Sequence, residues 1–425
     1  MTASTLSGLS LSDPAAYLAG VPHAEFARRR RESPIDWVDE APLWRHGSGG
    51  SRAVSGSGYW AVTRHSAICT ASRQPQVFSS AARGAFLADP HSRQDLERNR
   101  QLLINMDGPQ HATIRRFLTA AFTPQAVRRL QHSIREYARS IVGKIIPNEP
   151  FEVVRTLTAE LPLLVLAELL GMPREDRDLM FNWSNSLVGF DDPQYGGGDI
   201  DAYKRTFVEA SQYAMDLAGT RRRRPGADLV STLVNCEVDG LRLSDQQFSY
   251  LWILLVVAGN ESTRHLLSGA LEALAQWPQQ RGRLVRQPEL LSTAVEELLR
   301  WVSPIMQFRR TAVQDVELEG RRMAQGDKVV LYYVSANRDE RVFEDADRLD
   351  LTRRPNPHLA FGIGPHVCPG AYLARLETAT LLDVLRPHLA TFELAGPIIR
   401  LESNFMNGIK SMPARFARRR ESAPG

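Results

Sequence analysis

The chain has 425 residues, of which 43% are hydrophobic and 24% charged, and its formal net charge is +4. It can bury a large core and is long enough for more than one domain. Its three cysteines, Cys69, Cys236 and Cys368, are far apart, which argues against a disulfide framework or a structural zinc site and is typical of a reducing cytosol. No run approaches the ~20 apolar residues of a membrane span, and the N-terminus lacks a signal-peptide pattern. We therefore expect a cytoplasmic protein without a membrane anchor.

The basic charge includes two arginine clusters, at 28–31 and 221–224, each near a proline or a turn. We interpret both as solvated helix ends and not as a nucleic-acid site, because no interleaved aromatic residues or reader motif accompany them. A mildly basic surface suits an acidic protein partner equally well.

The first part of the chain is mixed and the remainder is mostly helical. Residues 59–64 alternate like a strand, after a glycine- and serine-rich stretch over 45–58 that predicts a loop. Further on, Thr123 is the expected N-cap and Pro124 the first residue of a helix. The glycine cluster at 196–198 separates two more helical stretches.

The longest helical pattern begins with a capping box formed by Ser244 and Gln247 and continues to Trp277, about 33 residues or roughly 50 Å. Such a helix should cross the whole molecule. Residues 288–304 predict a second helix, and residues 329–336 predict a strand. The fold class is therefore mainly α with a minor β-sheet region.

One cysteine lies in an unusual loop, FGIGPHVCPG at 361–370. Gly362, Gly364 and Gly370 allow the backbone to adopt positive φ or to approach a flat surface closely. Cys368 falls just before a predicted helix N-terminus, where N–H groups and the helix dipole stabilise a thiolate. A thiolate held in this way is either a nucleophile or a metal ligand.

The metal interpretation is the more economical of the two. A nucleophilic Cys368 needs a base, and His366 has no visible partner that would orient it. Zinc needs further ligands at a spacing that the sequence does not offer. Haem iron needs only one protein ligand here, because the macrocycle supplies the four equatorial positions.

The loop resembles the haem-binding signature of the cytochrome P450 family, Phe-x-x-Gly-x-His/Arg-x-Cys-x-Gly. The matching residues are Phe361, Gly364, His366, Cys368 and Gly370. The resemblance extends over nearly the whole chain. It implies a single P450 domain over 1–425, about the first ten residues of which are flexible. It also implies haem b between a long distal helix and the cysteine loop, with Cys368 as the axial thiolate.

Three further motifs follow the family's pattern. Residues 258–262 match the distal-helix motif, Glu297 and Arg300 match Glu-x-x-Arg, and residues 106–118 match the segment that reaches the haem propionates. The resemblance implies that Glu297 and Arg300 bind Arg353. It further implies a set of cofactor contacts, namely His111, Arg115, Ala258, Gly259, Arg310, Phe361, Gly362, His366, Cys368 and Gly370.

The implied reaction is O2-dependent hydroxylation, in which electrons arrive from a ferredoxin and its reductase because the chain has no flavin or nicotinamide fingerprint. Protons are relayed by an acid and an alcohol on the distal helix. Glu261 matches the acid, and Ser262 stands where the family usually has threonine. Thr263 follows one step later but points about 100° away along a helix. We expect Ser262 to serve as the relay with looser control of uncoupling.

Several apolar side chains are candidates for the substrate pocket and predict an apolar ligand with few polar anchors. They are Phe86, Leu87, Leu187, Val188, Phe190, Leu255, Ile305, Met306, Phe405 and Met406. The sequence of several motifs resembles that of actinobacterial family members that oxidise sterol side chains, branched lipids and terpenoids. The expected substrate is therefore a sterol, terpenoid, lipid or polyketide-like molecule.

Two alternatives stay open at this level. The first keeps the haem but performs ring coupling or epoxidation in natural-product tailoring, or uses peroxide; Glu261 with Ser262 disfavours the peroxide version. The second is a non-enzymatic haem-thiolate binder, which would need neither a distal relay nor an electron partner.

Overall fold

The computed structural model describes residues 10–122 and 124–417. Fourteen α-helices lie in these ranges: α1 (His23–Glu32), α2 (His65–Ser72), α3 (Arg93–Asn99), α4 (Gly108–Ala121), α5 (Pro124–Val142), α6 (Glu160–Leu170), α7 (Arg177–Val188), α8 (Ile200–Arg223), α9 (Leu229–Asn235), α10 (Asp245–Gln276), α11 (Pro278–Arg286), α12 (Leu291–Val302), α13 (Tyr333–Ala336) and α14 (Ala371–Leu389). Within the described part of the chain, no helix is long and apolar enough to cross a membrane.

The strands are short and form small sheets beside the helical body. They are β1 (Ile35–Val38), β2 (Leu43–Arg45), β3 (Arg52–Val54), β4 (Tyr59–Val62), β5 (Phe78–Ser79), β6 (Phe151–Glu152), β7 (Phe308–Ala312), β8 (Val316–Leu318), β9 (Arg321–Met323), β10 (Lys328–Leu331), β11 (Phe392–Leu394), β12 (Ile399–Arg400), β13 (Ile409–Ser411) and β14 (Pro413–Phe416). The largest sheet has the order β1-β4-β10-β7-β5. Only the β4–β10 pair is parallel in that sheet.

The helix α10 is the central element, and its predicted start is confirmed. Ser244 and Gln247 form the capping box, with both reciprocal bonds present. The helix has 32 residues and ends where Pro278 begins α11, so it is about 48 Å long. It packs against α6, α7, α8, α12 and α14, and this position places its middle turns over the cavity described below.

The structure corrects two predicted elements, and one predicted residue lies outside the described part of the chain. The loop predicted over 45–58 contains β3, which pairs with β2 in a hairpin, because the glycines between them allow the chain to turn. The strand predicted over 329–336 ends at Leu331 and continues as α13. All four residues of α13 are buried, and a short buried run does not distinguish helix from strand. Pro124 begins α5 as predicted, whereas Thr123 lies outside the described residues.

The interpretation of the first arginine cluster as a solvated helix end is wrong for Arg30. This side chain is 2% exposed. It donates to the carbonyl and hydroxyl of Ser335 at 3.2 and 3.0 Å and to Glu340 at 2.9 Å. Arg28, two residues earlier, stays at the surface between Glu25 and Glu32. Arg30 therefore joins α1 to α13 and to the segment that follows it.

A buried charge cluster joins α12 to the segment that leads into the cysteine loop. Arg300 donates two hydrogen bonds to Glu297, at 2.7 and 2.8 Å, and both residues are fully buried. Arg353 Nε donates to the same carboxylate at 3.1 Å. Arg300 also donates to the carbonyls of Asn337 and Ala346, each at 2.8 Å. The cluster saturates its donors and fixes the chain 337–353 against α12.

Candidate functional site

A cavity of about 490 Å³ lies between α10 and the loop 361–370. The loop and the first turns of α14 form its floor, and α10 forms the facing wall. The residues assigned to a cofactor from the sequence all line it: His111, Arg115, Ala258, Gly259, Arg310, Phe361, Gly362, His366, Cys368 and Gly370.

The cysteine loop is held by its own backbone and by α14. The N–H of Cys368 donates to the carbonyl of Phe361 at 2.9 Å, which closes the loop. The guanidinium of Arg375 lies 4.5 Å from the centre of the Phe361 ring. All three cysteines are described, and Cys368 is the one that lines the cavity, whereas Cys69 and Cys236 do not.

The glycines of this loop have different reasons to be glycine. Gly364 has φ +78°, and a Cβ there would lie 2.5 Å from the carbonyl oxygen of Ser72. Gly362 also has positive φ, at +68°. Gly370 has φ −83°, a conformation that any residue adopts, and a Cβ there would meet Cys368 Sγ at an ordinary 3.9 Å. The expected need for positive φ therefore applies to the first two glycines.

The thiol of Cys368 experiences opposing influences. Burial raises the pKa of Cys368, whereas a hydrogen bond from the Gly370 N–H and the charges of Arg115 and Arg375 lower it. In the protein chain alone the effect of burial prevails, and the pKa is raised. The expected donor at the start of the following helix, the Gly370 N–H, is present.

Two arginines and two histidines face the cavity from different elements. Among the described residues, the side chain of Arg115 has no hydrogen bond or ion pair, and Arg310 donates only to the carbonyl of Arg309, at 2.7 Å. His111 and His366 lie with ring centres 4.3 Å apart. Arg310 is 3% exposed, whereas Arg115 is partly exposed. A buried guanidinium group without an acidic partner is a costly arrangement unless an anion completes it. This donor set fits a cofactor that carries carboxylates.

Asp107 supports the histidine pair and was not identified from the sequence. His366 Nε2 lies 3.7 Å from Asp107 Oδ1. Burial would raise the pKa of Asp107, but contacts with His366, the Ser79 hydroxyl and the N–H groups of Ala81 and Ser80 lower it to about 2. The carboxylate therefore stays ionised and fixes the loop 79–81 beside His366.

On the facing wall, the side chains of Ser262 and Glu261 contact different groups. Ser262 Oγ donates to the carbonyl of Ala258 at 2.6 Å. The carboxylate of Glu261 is 2% exposed, accepts from Ser184 Oγ at 3.0 Å on α7, and forms an ion pair with Arg264. Burial would raise the pKa of Glu261, but the Arg264 charge together with His265 and the Ser184 hydroxyl lowers it. Thr263 also borders the cavity and is 3% exposed.

The helix passes through Gly259 without interruption. A Cβ at Gly259 would lie 2.9 Å from Leu166 Cδ2. The missing side chain is thus used for close packing of α6 on α10.

The apolar residues assigned to a substrate pocket line the same cavity, with one exception. The residues that do so are Phe86, Leu87, Leu187, Val188, Phe190, Leu255, Ile305, Phe405 and Met406. The exception, Met306, is fully buried in the core beside Phe26 and Tyr59. Its extended neighbours Ile305 and Gln307 face the cavity, so alternation along the chain points Met306 to the opposite side.

The comparisons with known proteins agree with this geometry. The family model described as Cytochrome P450 matches residues 199–395. A protein named Steroid C26-monooxygenase from Mycolicibacterium smegmatis is 38% identical over 396 residues, covering 92% of this chain and 90% of the relative. A protein named Methyl-branched lipid omega-hydroxylase from Mycobacterium tuberculosis is 39% identical over 397 residues, covering 92% and 90%.

A solved structure is similar over almost the whole length. It is a Mycobacterium marinum cytochrome P450 in complex with pseudoionone, with a TM-score of 0.86 and 36% identity, covering 96% of this chain and 99% of that one. The chain belongs to the cytochrome P450 family. The predicted fold class, the haem cofactor with its thiolate ligand and the assignment as a monooxygenase are thereby confirmed.

Several residues of the P450 cavity were missed from the sequence. Tyr250 and Leu254 line it together with Ala258 and Ser262, and their spacing of four along α10 was a readable signal. Gln307 also lines the cavity while both atoms of its buried amide lack a hydrogen-bond partner among the described residues. Nothing local in the sequence marks that amide as facing a cavity.

Proposed function

We propose that this cytochrome P450 holds its haem through Cys368 and hydroxylates an aliphatic position of an apolar molecule with electrons from a ferredoxin. The observation that carries the proposal is the convergence of one cysteine and four cationic or nitrogen-donor side chains on a cavity with an apolar wall. When bound, the haem supplies the reductive activation of O2 and the transfer of one oxygen atom to a C–H bond.

Arg115 and Arg310 bind the two haem propionates, and His111 and His366 complete the donor set. The support is that neither arginine has an acidic partner among the described residues, although Arg310 is only 3% exposed. Burial, the neighbouring His366 and the Arg115 charge lower the pKa of His111 to about 4.

Ser262 holds the proton nearest to the substrate. Its Oγ–H is bonded to the Ala258 carbonyl, so delivery requires the hydroxyl to leave that carbonyl and turn into the cavity. Glu261 passes a proton to Ser262 only after its carboxylate has left Arg264 and taken up a proton from a water molecule. Thr263 provides a second hydroxyl at the same level of α10.

The substrate carries a long or branched hydrocarbon part. The lining side chains named above are aliphatic and aromatic, and the related proteins are named for steroid C26 and methyl-branched lipid oxidation. The similar solved structure holds pseudoionone. Sterol side chains, terpenoids and lipids therefore come first, ahead of ring coupling.

The electron donor is an acidic ferredoxin, which is itself reduced by its reductase. The reaction takes place in the cytoplasm, and the protein acts as one domain over 1–425. The net charge of +4 supports electrostatic steering of an acidic partner.

The experiment combines the protein with a ferredoxin, its reductase and NAD(P)H and screens sterols, terpenoids and lipids. Substrate-dependent NAD(P)H consumption with a hydroxylated product supports the proposal, whereas binding without product supports a haem-thiolate binder. Turnover that does not fall as salt rises contradicts the steering.

A further inference from the structure

The amide of Gln307 is a buried polar group on the cavity wall that has no hydrogen-bond partner. Within residues 10–122 and 124–417, buried polar side-chain atoms of the wall lack a partner at two residues, Glu377 and Gln307. At Glu377 this concerns one oxygen, whereas at Gln307 it concerns both Oε1 and Nε2. Gln307 is 1% exposed. An enclosed amide costs free energy unless its atoms are hydrogen-bonded, and a substrate group in the cavity can supply both bonds.

The backbone around Gln307 fixes the direction of its side chain. Ile305 pairs with Met406 in an antiparallel bridge, and the N–H of Met306 donates to the Phe405 carbonyl at 2.8 Å. Side chains alternate along such an extended segment. Since Met306 faces the core, Ile305 and Gln307 on either side of it face the cavity. The strand β7 begins at the next residue and pairs with β10, so Gln307 is held on both sides.

The neighbouring polar side chains have bonds of their own. In the antiparallel register Asn404 lies opposite Gln307, and it also borders the cavity. Its Nδ2 donates to the carbonyl of Ser12. Ser403 Oγ accepts from the Met406 N–H at 3.0 Å. These bonds hold the segment opposite Gln307 in place and leave the Gln307 amide available to a ligand.

The two atoms of the Gln307 amide select the chemistry of that ligand. The amide is neutral, with an acceptor oxygen and a donor nitrogen. A hydroxyl group both donates and accepts, so it complements both atoms. A ketone or an ether can bond Nε2 only and leaves Oε1 buried without a donor, and a hydrocarbon leaves both atoms unpaired. The amide therefore favours a hydroxyl over these other groups.

The position of Gln307 puts this contact in the reacting half of the cavity. Gln307 precedes Arg310, which the proposed function assigns to a haem propionate, by three residues. Three residues of extended chain span about 10 Å. The apolar side chains of Ile305 and Phe405 border the cavity beside it. A hydrogen bond to Gln307 thus orients the part of an apolar substrate that is oxidised.

We propose that Gln307 binds a hydroxyl group of the substrate, so that the substrate is an alcohol with a branched or polycyclic hydrocarbon part and the product is a diol. This inference rests on the monooxygenase function proposed above. The step consumes one C–H bond, O2, two electrons from the ferredoxin and two protons, and yields C–OH and water. The hydroxyl already present is not changed; its hydrogen bond fixes which carbon is oxidised.

The binding test uses two sets of matched compounds and reads the spectral shift of the haem protein. One set is cholestanol, cholestanone and cholestane; the other is geranylacetone, the alcohol obtained by its reduction, and the hydrocarbon of the same skeleton. In the set that binds more tightly, wild type should bind the alcohol at least about tenfold more tightly than the ketone, or by about 1.4 kcal/mol. The reason is that the ketone leaves Oε1 of Gln307 without a donor.

A substitution at Gln307 tests the contact itself. Gln307→Met keeps the length of the side chain and removes the amide, so affinity for the alcohol should fall about tenfold while affinity for the hydrocarbon does not fall. Gln279→Met is the matched control, because Gln279 is exposed on α11 and does not line the cavity. Product analysis is the second readout: wild type should oxidise one or two carbons of the alcohol, and Gln307→Met should spread oxidation over more positions.

Equal affinity for alcohol and ketone in wild type overturns the hydroxyl contact, as does unchanged affinity for the alcohol in Gln307→Met. Loss of haem from Gln307→Met at unchanged affinity of the remaining holoprotein for the alcohol also overturns it, since the amide would then bind the cofactor. Hydroxylation of ketones and hydrocarbons without preference for the alcohol leaves the proposed function intact and rejects the inference. A wild-type protein that lacks the haem-thiolate spectrum, or that binds neither set, fails at the level of the proposed function.

Discussion

Ser262 Oγ donates a 2.6 Å hydrogen bond to the carbonyl oxygen of Ala258, one turn earlier in α10. Serine and threonine side chains in helices commonly bond back to this carbonyl. Serine lacks the β-branch that restricts χ1 of threonine, so its hydroxyl exchanges more freely between the carbonyl and the cavity. This freedom bears directly on how tightly electron use is coupled to product.

We expect Ser262→Ala to release severalfold more hydrogen peroxide per electron pair, because the hydroxyl nearest to the substrate is lost. Ser262→Thr should release less peroxide than wild type, since the branched side chain is held in one rotamer. The measurement is peroxide and product formed per NAD(P)H consumed. Thr263→Ala is the comparison; unchanged coupling in Ser262→Ala together with uncoupling in Thr263→Ala would move the relay to Thr263.

Glu296 and Glu297, adjacent on α12, allow the contribution of the buried charge cluster to stability to be compared with that of a more exposed ion pair. Glu297→Gln leaves the buried guanidinium of Arg300 without its carboxylate, which should cost about 3–5 kcal/mol of unfolding free energy. Glu296→Gln removes partly exposed pairs with Arg375 and His358 and should cost clearly less, because exposed pairs contribute less than buried ones. Denaturant unfolding of the haem protein measures both. Equal losses of unfolding free energy in the two variants would contradict the larger contribution of the buried cluster.

Glu377 on α14 gives a pH dependence with a defined sign. Burial raises the pKa of Glu377 from 4.5 to about 8, and its Oε2 has no hydrogen-bond partner among the described residues. The folded protein keeps this proton while the unfolded chain loses it, so wild-type stability falls as pH rises from 4.5 to about 8. The slope is at most about 1.4 kcal/mol per pH unit.

Glu377→Gln removes this ionisation. The variant should gain stability over wild type progressively between pH 4.5 and 8, with a constant difference above that range. Melting temperatures of both proteins across pH 4 to about 9 test the prediction. A difference that shrinks as pH rises would contradict the buried neutral carboxyl.

Asp89 ties the loop that carries Phe86 and Leu87 to the main sheet. Its carboxylate accepts from Arg309 at 2.7 Å and from Lys328 at 3.0 Å. Asp89→Asn weakens both contacts, so we expect substrate affinity to fall severalfold with little change in kcat. Spectral titration and steady-state kinetics separate the two. A fall in kcat at unchanged affinity would show that the loop acts on another step.

The cysteine loop and the start of α10 were predictable because their determinants are local. Cys368, the positive-φ glycines and the capping box of Ser244 and Gln247 each act within a few residues. Arg30 was misread because its acceptor, Ser335, is 305 residues away in the chain. Met306 was misplaced because the register of a short extended segment depends on what it packs against.

The rim of the cavity was the least visible part from the sequence. Arg98 and Lys204 come from separate helices, α3 and α8, and each looks like an ordinary solvent-exposed residue in its own helix. Only the folded chain brings both to the border of one cavity. The cavity-lining residues of α10 were partly visible, since a helical spacing of four connects Tyr250, Leu254 and Ala258.

The measurement that tests the central claim most directly is the carbon monoxide difference spectrum of the reduced protein. The account predicts the red-shifted Soret band of thiolate-ligated haem in wild type, in Cys69→Ser and in Cys236→Ser, and its loss in Cys368→Ser. Absence of the band from wild type, or its persistence in Cys368→Ser, would contradict the assignment of Cys368 as the haem ligand.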